Sequence, residues 1–174
     1  MLLQLARGLI DRLLLMGAVV AGGLVPGFIS QYRQRLGGRL DQARLDLEPW
    51  QKLADHYQHG DLNALIGYHL GSPDPTFHAE GAVIQSLVQT VTQLQAAADA
   101  LHTGLLRQVL YLTAHADPGL ARATWADWVP TFSLSGEGIA FALLFALTLW
   151  LLFQGLCWTI ASLAGPRAER RRRA

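Results

Sequence analysis

The chain has 174 residues, 51% of them hydrophobic, with a mean hydropathy of +0.24 and a formal net charge of +1 at pH 7. That length suits one domain plus membrane segments, and the apolar excess is high for a water-soluble chain, so lipid or partners must cover part of it. The one cysteine, Cys157, lies in an apolar run and excludes both an intrachain disulfide and a cysteine-built zinc site.

Charge is segregated rather than large. Residues 30–138 are acid-rich, whereas Arg167, Arg170, Arg171, Arg172 and Arg173 crowd the C-terminus. This asymmetry bears on topology and on anionic lipid headgroups, and a short basic tail without interleaved aromatics makes no case for nucleic acid.

Taken in chain order, the first apolar segment covers residues 13–29, and 17 residues is the lower limit for crossing a bilayer. Pro26 is expected to bend or loosen its last turn. Arg7 and Arg12 ahead of an apolar core, with Val19-Val20-Ala21 suiting a peptidase, would also fit a cleaved secretory signal. We read a retained helix. Gly17 and Ala21, Ala18 and Gly22, and Gly23 and Gly27 each stand four apart, a spacing that lets helix backbones approach closely in lipid. Their partner is either the second span of the same chain or the same helix of another copy.

Beyond this segment, Ile29, Tyr32, Leu36, Leu40, Ala43, Leu47, Trp50, Ala54 and Tyr57 recur at steps of three and four along one side of a helix. Gly37-Gly38 interrupts that arm at about 1 kcal/mol per glycine relative to alanine. Gly60, Asp61, Gly71, Ser72, Pro73, Asp74 and Pro75 mark turns around a short helix near residues 62–69. A second stripe, Ile84, Leu87, Val91, Leu94, Ala98, Leu101, Leu105 and Leu112, keeps heptad spacing and misses only at Gln108. The expected product at residues 30–116 is an antiparallel, coiled-coil-like hairpin with arms reaching roughly 45 Å. Asp117-Pro118 then starts a short pre-membrane helix that Pro130 ends, within a segment at 117–138.

Residues 139–164 contain no charge and are long enough to cross. Ser135 and Glu137 suit the start of this helix, and Trp158 suits an interfacial anchor near its end. Gln154 is the lone side-chain amide there and should face another helix, with Thr148 and Thr159 the other polar candidates for lining a path. The arginines of the tail at 165–174 place both termini in the cytoplasm and the middle region outside. Arg33, Arg35 and Arg39 pull the other way, but long segments cross largely regardless of charge.

No HExxH, GxSxG, phosphate loop or cysteine–histidine nucleophile pattern occurs. His56 and His59, three apart, could share a helix face as metal ligands with help from Asp55, His69 or His78, but we read them as ordinary surface residues of a polar turn. We expect no metal site, no cofactor and no catalytic residues, and we read lone acids such as Asp99 and Glu80 as solvating a helix.

Two stretches carry a resemblance: PGFISQYRQRLGGRLDQ at 26–42 and ADPGLARATWADWVPTFSLSGEG at 116–138. They resemble an uncharacterised proteobacterial inner-membrane family, domain of unknown function 2937. In that family a QQYxQRLGG-like segment follows the first span and a RATWxxFxP-like segment precedes the last. Trp128 stands where phenylalanine is expected, and residues 51–115 do not align. The resemblance implies a bacterial inner-membrane protein with a retained first span at 1–29, and carries no catalytic or binding residues.

The expectation is thus an all-α membrane protein, two transmembrane helices flanking an extramembrane hairpin, with a non-enzymatic scaffolding or assembly role. Its partners would be membrane lipids and either further copies of itself or another membrane or periplasmic protein. The alternative is an accessory subunit of a transport complex or a small oligomeric pore.

Overall fold

A computed structural model describes residues 2–170, without side chains at 2–7, 161 and 163–170; Arg171, Arg172 and Arg173 therefore lie outside the described residues. The described residues form six helices, α1 (Leu2–Tyr57), α2 (Leu62–Leu70), α3 (Pro75–Ala100), α4 (Leu105–His115), α5 (Pro118–Ala126) and α6 (Gly136–Arg170), and no strand. It divides into two units, one of residues 1–29 with 129–174, the other of residues 30–128.

The first unit holds the two helices long and apolar enough to cross a membrane. Helix α1 continues through Pro26 instead of loosening there. The ring removes the donor that Gly22 O would use, but Ser133 N–H reaches the neighbouring Gly23 O at 3.3 Å, so backbone polarity beside the proline is met from the connecting segment. Helix α6 starts as its sequence suggests: Ser135 Oγ accepts from Gly138 N–H at 3.1 Å and Glu137 sits in the first turn.

In the second unit the first stripe is buried for most of its length: Tyr32, Leu36, Leu40, Ala43 and Ala54 are buried and Leu47 and Trp50 half-buried, but Tyr57 at its end is exposed. Tyr32 and Leu36 form a core with Leu101 and Leu120, against which Leu94, Ala97, Ala98, Tyr111 and Leu112 pack. Arg33 meets His102 and Arg44 meets Gln95, so α3 runs back along α1. Helix α1 stops because His59 and Gly60 take left-handed backbone angles, φ 53° and 86°. Asp61 then caps α2 through Asn63 and Ala64 N–H, and Asp74 caps α3 through Thr76 N–H with Pro75 in the first turn. A Cβ at Gly81 would stand 2.9 Å from Leu70 N and 3.0 Å from His69 Cβ, so glycine permits the close approach of α3 to α2. Gly37 and Gly38 have nothing opposite them within 4 Å, so neither is required by a contact within the chain.

The second stripe is not one continuous arm. It breaks after Ala100, with Leu101 as the cap of α3 and Gly104 leading α4. Gln108, the position that interrupts the heptads, explains how the break is tolerated: its buried amide donates to Leu101 O at 3.0 Å and Thr103 O at 2.6 Å. Carbonyls released from the helical ladder are thereby satisfied inside the fold. Helix α5, capped by Asp117, packs through Leu120 and Thr124 in this same unit, and Arg35–Asp127 at 2.6 Å and Arg39–Asp117 at 3.8 Å tie it to α1. Tyr32 Oη accepts from Asp117 N–H at 3.1 Å.

Replacing Gln108 by leucine would complete the heptad on paper. The structure predicts the reverse, a loss of about 1–3 kcal/mol from two unsatisfied carbonyls, measurable by denaturant unfolding of the purified chain. Burial pushes the Tyr32 phenol above its ordinary 10.0, outweighing the opposite pull of the Asp117 N–H. The stability this group contributes is complete below pH 10.0 and falls as pH rises through the raised value, and that fall should be missing in Tyr32→Phe.

Candidate functional site

The polar and small residues singled out in the apolar helices separate into three groups. A Cβ at Gly22 would meet Ala142 Cα and Phe145 Cβ at 3.1 Å, and Ala18, Ala142 and Ala146 are buried with it. These residues bring α1 and α6 together within the chain. Gly23 faces the ring of Phe132 and Gly27 faces Thr131, so this pair accommodates the connecting segment rather than a helix. Gly17 and Ala21 are exposed, with nothing within 4 Å of Gly17.

Gln154 Nε2 donates to Asp11 Oδ2 at 3.5 Å, across α6 and α1. Together with the Gly22–Ala142 contact this defines an antiparallel pairing, and it draws Asp11 alongside a residue well inside the uncharged stretch at 139–164. Asp11 Oδ1 is buried with no hydrogen-bond partner among the described residues. Sequence reasoning began the first span at Leu13 and so left this acid outside; only the helix register reveals its depth. Arg167 and Arg170 lie in the α6 backbone without described side chains.

The histidines are spread over several separate settings. Helix α1 ends at Tyr57 and His59 turns left-handed, so His56 and His59 do not share a helix face. His78 Nδ1 bonds Leu70 O at 2.7 Å, and among the described residues no three histidine, cysteine or carboxylate side chains converge as metal ligands.

His69 is the exception, being only 6% exposed in the last turn of α2. It floors a groove of about 540 Å³ lined by Trp50, Leu53 and Tyr57 of α1, Leu65 and Tyr68 of α2, and Phe77 and Glu80 of α3. The ring lies edge-on to Trp50 and Tyr68, centroids 6.1 and 5.9 Å away, and tilted against Phe77 at 5.6 Å. Its Nδ1 meets Leu65 O at 2.9 Å, and Nε2 points to Glu80 Oε2 at 3.7 Å. Tyr68 is 67% exposed and Phe77 46%, so large rings stand open around a buried polar atom. Glu80, read as a solvating acid, belongs to this groove. No sequence spacing marks it, since its walls come from three helices.

A family model for proteins of unknown function, DUF2937, matches residues 6–165. The chain belongs to the DUF2937 family. Both resembling stretches, 26–42 and 116–138, lie within the matched range, as does 51–115, which the resemblance alone did not align. No curated protein and no solved structure matches the chain. In this DUF2937 member the Asp11–Gln154 pair offers a direct check on the helix register. Gln154→Leu should cost about 1 kcal/mol by leaving a half-buried acid unpaired, whereas Asp11→Leu with Gln154→Leu should be close to neutral. Unfolding of the detergent-solubilised variants would read both.

Proposed function

We propose that this DUF2937 member is a two-pass integral protein of the bacterial inner membrane with a non-enzymatic scaffolding role. The supporting observation is the surface of its apolar helices. In the most apolar 18-residue window of α6, mean hydropathy 2.2, only 11% is buried, and in that of α1, mean hydropathy 2.0, 28%. Leu143, Leu144, Leu147, Leu151, Leu152 and Leu156 are exposed along α6, and Leu9, Leu13, Met16 and Val20 along α1. A soluble protein's core helix hides such side chains; hydrocarbon accepts them. The arginine-rich C-terminus, with Arg7 and Arg12 at the other end, then favours cytoplasmic termini and a periplasmic helical unit at residues 30–128.

Most of the small residues are spent inside the chain, so self-association would rest on the exposed strip at Gly17 and Ala21. The pore alternative gains no support. Gln154 engages Asp11, and the hydroxyls of Thr148 and Thr159 bond their own helix at Leu144 O and Leu156 O, both at 2.8 Å.

Alkaline carbonate washing of membranes should leave the chain in the pellet. Release into the supernatant would overturn the reading. With Cys157→Ser as background, an impermeant maleimide should label Gly71→Cys in spheroplasts and Ala174→Cys only after lysis; the opposite order would reverse the proposed orientation.

A further inference from the structure

Two hydrogen-bond acceptors face each other in the groove around His69. Leu65 O can only accept, so His69 Nδ1 carries the proton of that 2.9 Å bond, and in the neutral ring Nε2 presents a lone pair. Glu80 Oε2 stands 3.7 Å from it, outside hydrogen-bond length, while its side chain remains 45% exposed. An imidazole lone pair and a carboxylate so placed lack a shared donor. The surrounding wall is aromatic and aliphatic with one amide, Gln58, and no lysine or arginine lines it.

From this arrangement we propose that the groove binds an organic ammonium: a primary amine lodged between His69 Nε2 and Glu80, its alkyl body lying over Trp50, Tyr68 and Phe77. An ammonium carries three donors and no acceptor, so it satisfies both facing groups at once. Its charge is favoured by the carboxylate and by the faces of the open rings. The volume of about 540 Å³ suits a small molecule or a single side chain. The competing arrangement is internal, with a protonated His69 closing onto Glu80 and leaving no place for a ligand. The site lies wholly in the unit at residues 30–128, its α1 wall included, and does not depend on where residues 1–29 and α6 reside.

The test is calorimetric titration of the full chain in nanodiscs with n-pentylammonium and, as its uncharged counterpart, n-pentanol. Saturable binding of the amine, about tenfold or more tighter than the alcohol, is expected. Glu80→Gln should weaken amine binding by about tenfold and Phe77→Ala by several-fold, while Glu48→Gln, a surface acid paired with Lys52, should leave it unchanged. Comparing 1,5-diaminopentane with Nα-acetyl-lysine amide then distinguishes a free amine from a protein lysine as the source, and tighter binding of either supports the site. Equal binding of amine and alcohol, an unaltered affinity in Glu80→Gln, or no saturable binding up to about 10 mM would each overturn it.

Discussion

Burial of apolar side chains is the main favourable term in folding, yet along α6 the largest aliphatic residues point away from the rest of the chain. The contact between α1 and α6 is centred on small residues instead, with Ala18 and Gly22 on one helix and Ala142 and Ala146 on the other buried, and one ring, Phe145, lying against Gly22. In water this would be a poor use of sequence, because the side chains with the most to gain are left exposed. In hydrocarbon the logic reverses. Lipid tails are as apolar as leucine, so the large side chains gain nothing by pairing, and close backbone packing becomes the source of attraction. The partition of large residues outward and small residues inward is therefore a single physical pattern, and the reading of the chain as membrane-embedded rests on it.

The helical unit obeys the opposite rule. Its large residues, Tyr32, Leu36, Leu101 and Leu120, are buried together, and its irregular points are handled by explicit polar accounting. Asp61, Asp74 and Asp117 each cap a helix start, and Gln108 holds the carbonyls released where α3 ends. Surface pairs such as Arg35–Asp127 add little by themselves, since both partners remain solvated. The tight α2–α3 turn matters more, because Gly81 lets the two helices close over His69 and fixes its ring among the aromatics.

Much of this was legible in the residues. Apolar runs, cap residues and turn glycines act locally, so the short helix after Asp61, the helix after Asp117 and the start of α6 at Ser135 follow from neighbours a few positions apart. What stayed hidden depends on contacts between distant segments. The heptad stripe read as continuous because a one-dimensional pattern cannot show that Gln108 faces carbonyls at residues 101 and 103. Asp11, just outside the apolar segment that starts at residue 13, carries no signal in the sequence, and only its pairing with Gln154 brings it to notice. The groove draws on residues from 50 to 80 across three helices, and no motif joins them.

The two acids that sequence patterns undervalued, Asp11 and Glu80, share a physical feature. Each lies beside a polar partner at the margin of bonding distance, 3.5 Å to Gln154 and 3.7 Å to His69. Exposed acids are met at various distances, Glu48 by Lys52 at 2.6 Å and Asp41 by Arg44 at 3.8 Å, but water completes their hydrogen bonding. A carboxylate that is partly withdrawn from water and loosely matched retains capacity for a further donor. At Asp11 that capacity lies at the contact between α1 and α6, on a half-buried side chain with no groove beside it among those described. At Glu80 it opens onto an aromatic groove accessible from solution, which is why the second acid, and not the first, carries the case for a soluble ligand.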